Sequence, residues 1–151
     1  RANKEQFDFI AVDFPDPSNY SIGKLYSTSF YRLLKEALSE RGAIVIQSTS
    51  PYVAKKSFWT VDSTLRSVGL ITAPFHAYVP SFGEWGDILA TKRPFAIPNE
   101  FPEGLRFVNA LTVKAMFDFP DDMKVRVADV NRLNNQVLVR HVEEEWSEYA
   151  H

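Results

Sequence analysis

An apolar run, Phe7-Asp8-Phe9-Ile10-Ala11-Val12, passes directly into Asp13-Phe14-Pro15-Asp16-Pro17-Ser18-Asn19, and no other junction constrains the fold of this chain as strongly. The run has the length of a strand and lacks the alternation of a strand with one face in water. Burial on both faces is therefore expected, as at the centre of a parallel sheet. Proline fixes its own φ and biases the residue before it toward extended backbone, so Pro15 and Pro17 stiffen the loop around Phe14 and Asp16. In open α/β sheets, ligands bind beyond the carboxyl ends of the strands, which is where Asp13 and Asp16 fall. On spacing alone two readings stay open. Asp13 and Asp16 start turns, as Asp-Pro pairs do, or they form a rigidly held pair of carboxylates in a binding site.

Downstream, the hydrophobic period changes. Ser27 or Thr28 is placed to cap a helix with Phe30, Leu33, Leu34, Ala37 and Leu38 on one face and Gly42 as its stop. Residues 43–47 read as the next strand, and Phe58, Val61, Leu65 and Val68 as a second amphipathic helix ended by Gly69. Residues 70–79 and 86–91, joined across 80–85, read as a hairpin, so the β-α-β-α series ends in an antiparallel strand. Residues 1–92 are thus expected to form one half of a doubly wound α/β fold. In residues 93–151, Pro94, Pro98 and Pro102 punctuate a linker, and short helices with an acidic end at Glu143-Glu144-Glu145 are expected to pack on that half.

Bulk properties narrow the function. The 17 basic and 19 acidic residues are interspersed, with a net charge of -2, so no nucleic-acid partner is expected. The chain contains no cysteine, which excludes disulfides, thiolate metal sites and a cysteine nucleophile and agrees with a cytoplasmic location. His76, His141 and His151 lack ligand spacing, and no metal is expected. No apolar run approaches the ~20 residues of a membrane span, so no membrane contact is expected of this chain. It begins at Arg1 and reaches a buried-looking strand at once, which reads as a piece of a longer protein. Its glycines, at 23, 42, 69, 83, 86 and 104, include no G-x-G. The Gly-rich turn that holds a nucleoside in this kind of fold is therefore not expected within the chain, nor is a tightly bound cofactor.

Gln47, followed by Ser48, Thr49, Ser50, Pro51 and Tyr52, closes the second strand and should line the same edge as Asp13 and Asp16, unless the segment only starts a capped helix. Phe82 and Trp85 either wall a pocket there or pack as a hairpin corner. Residues 143–145 read as a solvated helix face, and Phe117, Phe119 and Trp146 as docking aromatics.

FDFIAVDFPDPSN, KLYSTSFYRLLKEAL, GAIVIQSTSPY and HAYVPSFGEWGDILA, in that order, resemble the carboxyl-terminal half of the catalytic domain of the polyamine aminopropyltransferases, the spermidine synthase family. The tail MFDFPDDMKVRVADVNRLNNQVLVRHVEEEW is similar to that of the bacterial branch with a DxPDPS motif. The resemblance implies half of a class I methyltransferase-like Rossmann fold. The implied reaction moves an aminopropyl group from decarboxylated S-adenosylmethionine, a co-substrate, to putrescine or a related amine. It also implies that Asp16 accepts the proton, that Asp13 is its partner carboxylate and that Gln47 lies close to the ligands. The loop residues Pro17, Ser18 and Asn19 and the aromatics Phe82 and Trp85 complete the expected binding surface. Phe82 stands where many members carry a tyrosine, which leaves the acceptor amine open. Some bacterial relatives carry membrane helices ahead of the synthase domain, so a longer parent of this chain could be anchored. An ordinary methyltransferase on the same fold, or a non-catalytic polyamine-binding module, remains an alternative. A second copy is expected to pair along the open edge of residues 7–12 or the apolar surface beside it, giving a homodimer or a higher association.

Overall fold

The computed structural model describes residues 5–127 and 129–150. Its sheet has four strands in the order β1-β2-β4-β3: β1 (Phe7–Val12), β2 (Leu38–Gln47), β3 (Ile71–Val79) and β4 (Gly83–Thr91). β1 and β2 are parallel, whereas β4 runs antiparallel to both β2 and β3. The expected turn from parallel to antiparallel pairing is therefore present. Its place in the sheet matters, because β4 inserts between β2 and β3 and brings its first residues to the carboxyl end of β2.

Helix α1 (Tyr20–Gly23) and a 3-10 turn (Lys24–Tyr26) connect β1 to helix α2 (Thr28–Ala37). Asn19 caps α1 by accepting a hydrogen bond from the Ile22 N–H at 3.0 Å, and Ser27 caps α2 through the Phe30 N–H. Helix α3 (Lys55–Ser67) is followed by Gly69 at φ 85°, a left-handed position at a helix end that favours glycine. Two further helices, α4 (Ala110–Met116) and α5 (Val137–Tyr149), lie beyond the sheet.

Three expectations are corrected. β1 is not buried on both faces: Ile10 and Val12 turn toward the helices, whereas Phe7 and Phe9 are 52% and 63% exposed on an edge that no described strand covers. α2 does not run to Gly42. It ends at Ala37 because Leu38 turns to extended backbone, and Leu38 and Gly42 both lie within β2, beside an irregularity in its pairing with β1. Finally, β4 begins at Gly83, so the hairpin link is shorter than residues 80–85.

The main core lies on one side of the sheet. Ile44, Ile46, Ile88 and Ala90 meet Tyr31, Phe58, Val61 and Leu65 from the helices, all of them buried, as alternation along strands and a helical stripe dictate. Leu138 and Val142 of α5 join the same core, as do Phe119 and Met123 ahead of it. Asn131, fully buried, anchors this tail. Its amide nitrogen donates to the Gly23 and Tyr26 carbonyls at 3.1 and 3.0 Å, its oxygen accepts from the Leu138 N–H, and its own N–H donates to Thr64 Oγ1. A buried amide with every group paired specifies one docking geometry rather than general adhesion.

Candidate functional site

At the carboxyl ends of β1 and β2 lies a cleft of about 850 Å³ lined by Asp13, Phe14, Asp16, Gln47, Trp85 and Asp87, among others. The stiff loop after β1 contributes the first three. Gln47 is the last residue of β2, and its Cα partner across the antiparallel ladder is Asp87. The reversal of β4 is thus what brings a third carboxylate to the cleft.

Asp16 is held at both oxygens. Gln47 Nε2 donates to one at 2.9 Å, and Thr49 Oγ1 donates to the other at 2.9 Å. The orientation of the Gln47 amide follows from its other partners. The Thr49 N–H, which can only donate, points to Gln47 Oε1 at 3.3 Å, and the Tyr26 hydroxyl lies 3.2 Å from the same oxygen. The nitrogen is left facing Asp16. Tyr26 is buried beneath the loop, also within reach of the Phe14 and Pro15 carbonyls at 3.1 and 3.2 Å. Burial first, and then the negative charges of Asp16, Asp13 and Asp87, push its phenol well above the usual range, so it stays a donor.

Asp87 is the perturbed carboxyl of the cleft. Its pKa is pushed up to about 6, chiefly by burial and secondly by the charge of Asp13. A carboxylate whose proton affinity is raised by burial beside a second carboxylate creates a local demand for a cation, and a bound ammonium would satisfy it.

Of the residues expected from sequence, Asp13, Asp16, Gln47, Phe82 and Trp85 all line this cleft. Ser18 lines a neighbouring cavity of about 590 Å³ that shares Asp16, Phe82 and Trp85 and adds Glu143 and Trp146 of α5. Pro17 is buried, and the Asn19 side chain is committed to its helix cap. The rings of Phe82 and Trp85 lie 5.4 Å apart, with Trp146 6.3 Å beyond Trp85. Phe82 is 66% exposed, so its ring is not packed into the core.

Sequence reasoning missed Tyr26 and Asp87 and misjudged part of the tail. Glu145 is not a solvated residue. Its carboxylate accepts from the Lys56 N–H, the Ser57 N–H and the Ser57 hydroxyl at 2.6, 3.0 and 2.6 Å, and so caps α3, which has no side-chain cap of its own. Phe119 does dock, packing against Phe58, Trp59 and His76. Trp146 does more than dock, because its indole N–H lies 3.3 Å from Thr49 Oγ1. The spacing of a local motif could not have shown these links, which cross most of the chain. An aspartate early in the returning strand of a hairpin was the one available signal for Asp87. Among the described residues there is no group of His, Asp and Glu suited to a metal ion, and no helix is long and apolar enough to cross a membrane.

Parallel strands followed by an antiparallel hairpin, with an acidic cleft at their carboxyl ends, define the second half of a methyltransferase-like α/β domain. Comparison with known proteins makes the assignment specific. The sequence model of the spermine/spermidine synthase domain matches residues 1–97, and the chain belongs to that family. It is 53% identical over 144 residues to polyamine aminopropyltransferase 2 of Ralstonia nicotianae, with 94% of this chain and 28% of the relative covered. It is 47% identical over 141 residues to the polyamine aminopropyltransferase of Leptospira interrogans, with 93% and 28% covered. The chain thus spans just over a quarter of the length of these relatives. Among solved structures, a spermidine synthase in complex with the transition-state analogue AdoDATO superposes with a TM-score of 0.67 at 26% identity, covering 78% of this chain and 43% of that one. The spermidine synthase of Thermotoga maritima gives 0.64 at 23% identity over 78% and 42% of the two chains, and shares the fold.

Proposed function

We propose that the chain forms the amine-binding side of a polyamine aminopropyltransferase that joins decarboxylated S-adenosylmethionine to putrescine or a related amine. The observation that carries this reading is the state of Asp16, whose two oxygens each accept one hydrogen bond at the edge of a cleft that also holds Asp13 and Asp87. A carboxylate keeps further lone pairs after two such bonds, so Asp16 can still receive an ammonium.

The chemistry requires such a group. An alkyl amine has a pKa of about 10, so it arrives protonated and cannot attack carbon. Asp16 binds the ammonium and accepts its proton. The freed nitrogen lone pair then forms a bond to the aminopropyl carbon next to the sulfonium. The carbon–sulfur bond breaks with its electrons going to sulfur, leaving a neutral thioether, methylthioadenosine. Asp13 and Asp87 favour the positive charges of donor and acceptor, and the rings of Phe82 and Trp85 exclude water from the methylene chain. Alignment of nitrogen, carbon and sulfur is then the main task left to the protein.

The nucleoside side of the donor is assigned to residues beyond this chain, in line with its lack of a G-x-G turn and its short span of its relatives. The chain alone is accordingly expected to be inactive. Two copies associating along β1, where Phe7 and Phe9 are exposed, and a cytoplasmic location belong to the same reading. Light scattering and cell fractionation test them.

The decisive experiment assays the complete protein carrying this chain with 1,4-diaminobutane and either decarboxylated or ordinary S-adenosylmethionine. Aminopropyl transfer from the former, lost by ~10²-fold or more in Asp16→Asn, is expected. Methyl transfer from the latter, or full activity of the Asn variant, overturns the reading.

A further inference from the structure

Helix α5 reaches the reacting end of the cleft through a chain of two hydrogen bonds. Trp146 Nε1 lies 3.3 Å from Thr49 Oγ1, and Thr49 Oγ1 lies 2.9 Å from Asp16 Oδ2. The directions of these bonds are forced. An indole N–H can only donate, so the threonine oxygen must accept from Trp146, and its single hydroxyl proton is then free for Asp16. Without the indole, the hydroxyl rotor would have no such constraint.

The backbone supports the same arrangement at a cost. Thr49 sits at φ 64°, a left-handed conformation unfavourable for a β-branched residue. The conformation is held from both sides: the Thr49 carbonyl accepts from the Gly86 N–H at 2.8 Å, and its N–H donates to Gln47 Oε1. In that pose the hydroxyl points to Asp16. Helix α5 is itself seated by Glu145, the residue next to Trp146, through its three hydrogen bonds to the first turn of α3.

We infer that Trp146 and Thr49 are positioning residues, and that helix α5 sets the orientation of Asp16 through them. The inference rests on the reading of Asp16 as the proton acceptor. The groups facing Asp16 are Asp13 on its own loop, Tyr26 below it, Gln47 and Thr49 at the end of β2, Asp87 across the cleft and Glu143 on α5. Only Gln47 and Thr49 donate to its carboxylate among the described residues. A donated hydrogen bond fixes the accepting carboxylate and favours its charged form, so removing the Thr49 hydroxyl loosens Asp16 as proton acceptor.

Two measurements test this. In the complete protein, Thr49→Val should lower kcat for 1,4-diaminobutane about tenfold with little change in KM. Thr49→Ser should restore kcat, and Trp146→Phe, which keeps a ring on the helix, should lower it with little change in KM. On the 151-residue chain, Asp16→Asn and Thr49→Val should each shift the indole N–H resonance of Trp146. A wild-type kcat in Thr49→Val and Trp146→Phe while only thermal stability falls would reduce α5 to a brace and overturn the inference, as would an indole resonance unmoved by Asp16→Asn. Absence of aminopropyl transfer by the wild type would instead remove the functional reading, with the resonance still deciding the coupling.

Discussion

Gln47 and Asp87 face each other across the β2–β4 ladder at the mouth of the cleft. The pairing puts a half-buried carboxyl one strand away from the amide that orients Asp16. Its consequences can be measured as pH effects.

Asp87 is pushed up to about 6 from an ordinary 3.8, so the folded chain binds this proton more tightly than the unfolded chain does. The stabilisation is whole below the unfolded value and is lost as the pH rises through the folded one. Stability is therefore expected to fall between pH 3.8 and about 6 by the contribution of this group. The loss is about 1–2 kcal/mol once solvent screening of a partly open carboxyl is allowed for. Urea titrations across that window should show the slope, and Asp87→Asn should remove it.

A bound diamine reverses the preference, because a cation beside Asp87 favours its ionised form. Diamine binding near pH 6, where Asp87 is half protonated, should release protons and tighten as the pH rises. Calorimetry in two buffers of different ionisation enthalpy reads the proton count. A count of zero that Asp87→Asn leaves unchanged would mean that the cation binds elsewhere.

Tyr26 supports the loop from beneath, its hydroxyl within reach of Phe14 O, Pro15 O and Gln47 Oε1. Tyr26→Phe leaves these acceptors without their buried donor and should cost about 1–2 kcal/mol in chemical denaturation. Diamine affinity should weaken with it, because Gln47 loses one of the partners that fix its amide.

Glu145→Ala removes three hydrogen bonds from the start of α3. A charged cap supplied from another helix is worth more than an exposed one, and a loss of about 2 kcal/mol is expected. Hydrogen exchange should quicken in the first turn of α3 and in α5 together. Exchange confined to α5 would show that the clasp does not support α3.

Gly86 tests how closely β4 must approach its neighbours. A Cβ there would lie 2.5 Å from Phe58 Cε2 and 2.9 Å from Pro51 Cδ. Gly86→Ala should destabilise by about 1–3 kcal/mol through overpacking and, by displacing the adjacent Asp87, should shift the pH dependence described above.

Much of this architecture was legible along the chain. The strand-to-loop junction at Val12-Asp13, the Ser27 cap and the Gly69 helix end are local, and each declared itself through a residue type with one physical preference. The carboxylates of the loop and Gln47 were legible for a related reason, since each ends a strand of a parallel pair. Less legible were the exposed outer face of β1 and the early end of α2 at Ala37. The first depends on what lies beside the strand, and the second on Leu38 being drawn into the sheet.

By itself, then, the sequence determined the order of elements, the stiff acidic loop and its family, because turn chemistry and hydrophobic period act over a few residues. Tertiary structure alone decided which groups surround Asp16. The antiparallel return of β4 brought in Asp87, burial placed Tyr26, and docking of α5 carried Trp146 to Thr49 across 97 positions of sequence. Contacts at that separation leave no period or motif in a single chain. They follow from where the packed core lets each helix come to rest.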